Sequence, residues 1–185
     1  MKRVLLMFIL ILLLFTFLCA SKQPGNDDSV DLHEAYKIAY AEATKWDKLA
    51  EPYFITSVDD SIDYNAIKGE NGKRNYWNFD FVVADTNSHL IISVHDKAVV
   101  NKIEAESEVN INYIMDIKKL RISTTEAVAI AKENYGLLPG SDWAQGYHFV
   151  LENSGVALVL SVVGRNTNGS ISRIYFNAKT GEIIG

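Results

Sequence analysis

The sequence predicts an α+β protein made of two tandem units, each a helix packed on an antiparallel β-meander sheet of three to four strands. A helix-start pattern occurs twice, at residues 31–39 and 123–131, and β-rich runs separated by turn residues follow each copy. The chain has 185 residues, of which 48% are hydrophobic and 22% charged. That composition is typical of a globular protein with one domain or two small ones.

Residues 1–20 have the features of an export signal. Lys2 and Arg3 precede an apolar run over residues 4–18. As a helix this run would rise only about 22 Å, which is short of the roughly 30 Å hydrocarbon core of a bilayer. Cys19, the only cysteine, ends the run and resembles the lipidated cysteine of bacterial lipoproteins. Cleavage after Ala20 and retention as an uncleaved anchor are the alternatives, and each of the three places the body outside the cytoplasm.

The remaining chain divides by composition. Residues 21–30 carry Pro, Gly, Asn and Asp without an apolar period, which predicts a flexible tether. The predicted parts after the tether are unit 1 over residues 31–105, a linker over 106–121 and unit 2 over 122–185. The body contains no cysteine pair, so its stability does not depend on disulfides.

Both predicted helices begin with the same cap. Asp31 precedes Glu34 by three positions, and Ser123 precedes Glu126 in the same way. The cap oxygen accepts a free backbone N–H, while the glutamate favours the positive end of the helix. Gly136 is the stop signal of the second helix.

Eight short runs have β character. They span residues 52–58, 76–84, 89–95 and 98–103 in the first half, and 147–151, 156–163, 170–177 and 182–184 in the second. Residues 111–115 fit either a short strand or a helical turn. Each unit alone would bury a marginal core, so the two copies are expected to pack together or merge their sheets.

The second unit resembles the PepSY domain. Its helix reads Glu-Ala-x-x-Ile-Ala from Glu126, and it closes with Asn-Ala-Lys-Thr-Gly-Glu-Ile-Ile over residues 177–184. The first unit matches in its helix but lacks the Thr-Gly turn after Asp96. The resemblance implies a non-catalytic role in the bacterial envelope, often inhibition or modulation of a protease, and it carries no catalytic residues.

The sequence predicts neither a metal site nor a cofactor, and it predicts that the protein is not an enzyme. His33 and Glu34 begin a pattern close to the zinc-protease helix, but Lys37 stands where the second histidine ligand belongs. Acidic residues between the first two strands are interpreted as a solvated loop: Asp59, Asp60, Asp63 and Glu70. The formal net charge of −5 argues against nucleic-acid binding.

Four aromatic residues crowd one predicted strand. Trp77, Phe79 and Phe81 alternate onto one face, and Tyr76 lies on the other. One interpretation is a core face, and the other is an exposed patch that binds a partner. The predicted function is a non-catalytic exported protein that acts by protein–protein contact, as a protease inhibitor or modulator. The alternative is an extracytoplasmic binding module for a peptide or a small envelope ligand.

Overall fold

A computed structural model describes residues 28–59, 68–141 and 144–184. Its elements in chain order are α1 (Leu32–Trp46), β1 (Ala50–Val58), β2 (Tyr76–Val83), β3 (Ser88–His95), β4 (Ala98–Glu106), two 3₁₀ turns (Ile111–Tyr113 and Ile117–Lys119), α2 (Thr124–Tyr135), β5 (His148–Asn153), β6 (Leu158–Arg165) and β7 (Ile171–Asn177). The predicted export signal, Cys19 and most of the tether lie outside the described residues. In the part of the chain that is described, no helix is both long and apolar enough to cross a membrane.

The seven strands form one antiparallel sheet in the order β4-β3-β2-β1-β5-β6-β7. The predicted α+β class with antiparallel strands is confirmed. At the centre of the sheet, β1 of the first half pairs with β5 of the second, so that Ile55 lies opposite Leu151. From this central pair the strands follow outward in chain order, β2-β3-β4 on one side and β6-β7 on the other. Ile183 bridges to Phe176 on the outer side of β7. A duplicated helix-and-meander unit would produce this symmetry, and the tandem division of the chain stays a prediction.

One face of the sheet forms the core. A row of fully buried side chains crosses six strands in register: Ile92, Phe79, Ile55, Leu151, Leu160 and Phe176. Both helices cover this row, with α1 packed over β1–β4 and α2 over β6 and β7. The small side chains of Ala35, Ala39 and Ala43 face the sheet with no exposed surface. The fold is therefore a two-layer α+β arrangement whose opposite sheet face lacks a helix among the described elements.

Both helix starts match their predictions. The Asp31 carboxylate accepts a hydrogen bond of 2.8 Å from the Glu34 N–H. At α2, the Ser123 hydroxyl accepts from the Glu126 N–H, and the Glu126 carboxylate accepts from the Ser123 N–H at 2.9 Å. Gly136 ends α2 with a φ of 62°, a conformation that glycine adopts without strain.

The aromatic strand is a core strand. Trp77, Phe79 and Phe81 are 0% exposed beneath α1, and the Trp77 indole N–H lies 3.2 Å from the Val30 carbonyl oxygen. A partner cannot reach these three side chains while the sheet and helix are intact, so the expectation that they bind a partner is wrong. Tyr76 lies on the opposite face and is half-buried beside His95, with ring centroids 5.2 Å apart.

Two further predictions concern short segments outside the main strands and helices. The ambiguous run at 111–115 contains a 3₁₀ turn, Ile111–Tyr113. The expected last strand at 182–184 is reduced to the single bridge between Ile183 and Phe176.

Candidate functional site

Residues 107–121 of the predicted linker cross the ends of the central strands, and hydrogen bonds to β1, to β5 and to the residue after β7 hold them there. The Met115 N–H donates to the Pro52 carbonyl at 2.8 Å, and the Arg121 N–H donates to the Ala178 carbonyl at 2.8 Å. The Asn153 side-chain amide donates to the carbonyl of Ile114 at 2.9 Å. The linker therefore forms a wall at this end of the sheet.

A cleft of about 690 Å³ lies between this wall, α1 and the start of β1. Its lining residues are His33, Tyr36 and Tyr40 from α1, Ala50–Pro52 from β1, Ala84 and Asp85 from the β2–β3 turn, and Ile111, Ile114–Lys118 from the linker. The volume falls within the range of about 300–1,000 Å³ that is typical of ligand sites.

Two tyrosines one helical turn apart form the aromatic side of the cleft. The Tyr36 and Tyr40 rings stack with centroids 5.3 Å apart, and Tyr36 also stacks on the buried ring of Phe81 at 6.2 Å. Burial raises the pKa of the Tyr36 hydroxyl, and the nearby Tyr40 and Asp116 raise it further. Tyr36 thus stays protonated and keeps a hydrogen-bond donor in the cleft.

The rim of the cleft is charged, whereas its floor is apolar. Glu51, Asp85 and Asp116 are exposed at the rim together with Lys118, while Met115 is buried in the floor. A hydrogen bond from Lys119, at 3.1 Å, lowers the pKa of Asp116. An apolar floor within a polar rim is the usual anatomy of a binding site.

The open face of the sheet brings together Asp80 on β2, His89 on β3 and Ser107, the residue after β4. The His89 Nδ1 atom lies 3.0 Å from each Asp80 carboxylate oxygen, and His89 Nε2 lies 2.8 Å from the Ser107 Oγ atom. The Tyr53 ring packs edge-on against His89, with ring centroids 5.6 Å apart. Burial raises the pKa of Asp80, and the hydrogen bond with His89 opposes that rise.

A second serine–histidine–aspartate cluster joins the end of β1 to the start of β5. His148 Nδ1 lies 3.2 Å from Ser57 Oγ, and its Nε2 lies 3.3 Å from Asp59 Oδ1. Arg74, only 2% exposed, donates to the same Asp59 oxygen at 2.7 Å. Burial lowers the pKa of His148, and the Arg74 charge lowers it further.

The sequence did not predict either cluster, because the partners come from separate strands. The interpretation as a solvated loop is wrong for Asp59, because its carboxylate pairs with the buried Arg74. Glu70 is exposed and pairs with Lys132 at 3.0 Å, while Asp60 and Asp63 lie outside the described residues. Within the described ranges, no group of three or more histidine, cysteine or acidic residues is placed to hold a metal ion.

The fold is similar to the crystal structure of a putative lipoprotein from Clostridium difficile 630. The two chains are 13% identical, and the likeness covers 82% of this chain and 90% of that one with a TM-score of 0.51. At this identity the likeness shows a shared fold alone. No protein-family model and no curated protein matches the chain, so the PepSY resemblance stays a prediction.

Proposed function

We propose that the protein is a lipid-anchored envelope protein that acts by contact with another extracytoplasmic protein. Its cleft receives an exposed segment of that partner. The PepSY resemblance implies a protease as the class of partner, which this protein would restrain or modulate.

The observation that carries the proposal is the composition of the cleft. Its walls come from a helix, the start of a strand and a linker segment that hydrogen bonds hold in place, so the fold itself shapes the cavity. Tyr40 is 38% exposed and Ile111 is 57% exposed on its surface. Large accessible side chains beside a buried methionine are the kind of surface that protein interfaces bury.

The amino-terminal sequence supports the location. The basic start is followed by an apolar run that is shorter than a membrane-spanning helix, and Cys19 comes directly after that run. This arrangement resembles the lipoprotein pattern. Lipidation at Cys19 with more than one acyl chain would hold the protein firmly at the membrane surface. The similar fold of a chain described as a lipoprotein agrees with this location.

Site-specific crosslinking in intact cells tests the proposal. A photoreactive amino acid in place of Tyr40 is expected to give a covalent adduct with a second polypeptide. The same reagent in place of Val156, which is 96% exposed in the β5–β6 turn, serves as the matched control. The added change Ile111→Asp, which charges the cleft wall, is expected to abolish the Tyr40 adduct. Adducts of equal yield from both positions would contradict the proposal.

The cleft volume also favours a second candidate, a binding module for a small envelope ligand. In that case the photoreactive residue at position 40 gives no polypeptide adduct. Native mass spectrometry of the protein purified from cells would instead show a bound small molecule that unfolding releases. Tyr36→Ala, which removes the stacked inner ring, is expected to lose that bound mass.

A further inference from the structure

We propose that Ser107, His89 and Asp80 form an acyl-transfer site that hydrolyses uncharged or cationic esters on the open face of the sheet. This inference goes beyond the proposed binding function, and it departs from the sequence-based expectation that the protein is not an enzyme.

The hydrogen-bond directions are those of a nucleophile with its base. The Asp80 carboxylate accepts at both oxygens, so the proton on His89 is assigned to Nδ1. The lone pair of Nε2 then faces Ser107 Oγ at 2.8 Å and accepts the hydroxyl proton. An aspartate that orients a histidine, which in turn activates a serine, is the arrangement of serine hydrolases.

The base is sheltered while the nucleophile is accessible. His89 is 6% exposed, and the ring of Tyr53 packs against it at a right angle. Ser107 is exposed, and its backbone N–H is fixed by a hydrogen bond of 3.0 Å to the Asn87 carbonyl. A fixed imidazole beneath an accessible hydroxyl is what attack on an external acyl group requires.

The cluster around Ser57 contains the same residue types but cannot perform this chemistry. Ser57 is 4% exposed, and its oxygen already accepts the Phe149 N–H at 3.0 Å. Arg74 neutralises Asp59. Ser57 therefore serves as an internal control for the reactivity expected of Ser107.

Backbone donors follow directly after Ser107. The N–H groups of Glu108 and Val109 have no acceptor among the described residues. In one large class of hydrolases, the residue after the nucleophile supplies an N–H to the oxyanion. Glu106 and Glu108 are both exposed beside the serine, so their charge disfavours anionic substrates.

The reaction balances with water as the co-reactant. Ser107 Oγ bonds to the acyl carbon while its proton passes to His89 Nε2. The bond from the acyl carbon to the alkoxy oxygen breaks, and the departing alcohol takes the proton from His89. Water then attacks the acyl-serine and gives its proton to His89, which returns a proton to Ser107 as the carboxylic acid leaves.

Labelling of the whole chain with a fluorophosphonate tests the site. The expected reaction forms a bond from Ser107 Oγ to phosphorus and releases fluoride, and peptide mass analysis locates the modified residue. Ser107→Ala is expected to abolish the labelling, and His89→Gln to slow it at least tenfold. Ser57→Ala, and Ser154→Ala at an exposed serine in the β5–β6 turn, are expected to leave it unchanged.

Turnover of p-nitrophenyl acetate gives a second readout. We expect kcat/KM to fall at least 100-fold in Ser107→Ala and at least tenfold in Asp80→Asn, which keeps the shape of the aspartate. Thermal melting of each variant separates lost reactivity from lost folding. Absence of labelling at Ser107 in the folded chain, or equal labelling in His89→Gln, overturns the proposal. The Tyr40 crosslink is independent of Ser107, so failure here is distinguishable from failure of the binding function.

Discussion

Arg74 is a buried cation whose hydrogen bonds connect two segments of the chain at the centre of the molecule. Its guanidinium donates to the Val58 carbonyl, the Asp59 carboxylate and the Gln145 carbonyl, at distances of 3.1, 2.7 and 2.8 Å. These partners come from the end of β1 and from the segment before β5. Removal of the cation would take a hydrogen bond from each of these oxygens in a partly buried site, and that loss is costly.

Arg74→Met is therefore expected to lower the free energy of unfolding by about 3–5 kcal/mol, measured by urea denaturation. Arg173→Met, at an exposed position on β7, provides the matched control and is expected to change stability by less than about 0.5 kcal/mol. A similar small effect at both positions would show that the hydrogen bonds of Arg74 do not stabilise the fold.

His148 makes stability depend on pH. Its pKa is lowered in the fold because burial and Arg74 disfavour the imidazolium, although Asp59 opposes them. Above the ordinary histidine pKa of about 6.5 the ring is neutral in both states, so its contribution to stability is fully present. As the pH falls below that value the unfolded chain binds a proton before the folded chain does, and stability is lost.

We accordingly expect the unfolding free energy to decrease from pH 7 to pH 5, with a smaller decrease in His148→Gln. His33→Gln, at an exposed position on α1, is the control. Urea titrations at a series of pH values provide the measurement. An identical slope in the wild type and in His148→Gln would contradict this account of His148.

The placement of a single residue was predictable only where its neighbours in the sequence determine it. The alternation of Trp77, Phe79 and Phe81 correctly placed them on one face, but only the position of α1 shows that this face is covered. Asp80, His89 and Ser107 carry no common spacing, because their contact depends on the register of three strands.

At the scale of elements, α1 packs closely because its sheet-facing side chains are small. Ala39 is 0% exposed at the middle of that face, whereas Ala41 points to solvent. Ala39→Leu is expected to lower the unfolding free energy by about 1–3 kcal/mol, since added methylenes have no space in a packed core.

The matched substitution Ala41→Leu keeps the same chemistry on the exposed side of the helix. It is expected to alter stability by less than about 0.5 kcal/mol in the same urea measurement. If Ala39→Leu were tolerated equally well, the close packing of α1 on the sheet would be wrong.

The elements themselves were largely predictable, because their signals are local. The caps at Asp31 and Ser123 fix the two helix starts, and turn residues between apolar runs place the strands within a few residues. The run at 111–115 was ambiguous because five residues are too few for either the helical or the strand periodicity of apolar residues to repeat. Its 3₁₀ turn begins with the Asn110 side chain accepting the Asn112 N–H, a local contact that the apolar pattern does not encode.

At the scale of the whole molecule, the pairing of β1 with β5 makes one sheet from the two halves. This pairing was not predictable from sequence patterns, because the strands are far apart in the chain and both a merged sheet and packed separate sheets would bury the apolar faces. The cleft was not predictable from sequence patterns either, because it also depends on contacts between distant parts of the chain. It needs the linker to return across the ends of β1 and β5, where its hydrogen bonds hold it.

The two helix-led halves share one sheet, and an engineered cysteine pair across β1 and β5 tests that pairing. Thr56 and Val150 are partners across β1 and β5, so Thr56→Cys with Val150→Cys, in a chain with Cys19→Ser, lies within disulfide range. We expect an intramolecular disulfide that raises the unfolding free energy by about 2–4 kcal/mol.

Thr56→Cys with Ser161→Cys is the matched control, because Ser161 lies one strand further away on β6, about 10 Å from Thr56. This pair is expected to keep both thiols free. Free thiols in the folded Thr56–Val150 variant, or disulfides formed only between molecules, would contradict the single sheet.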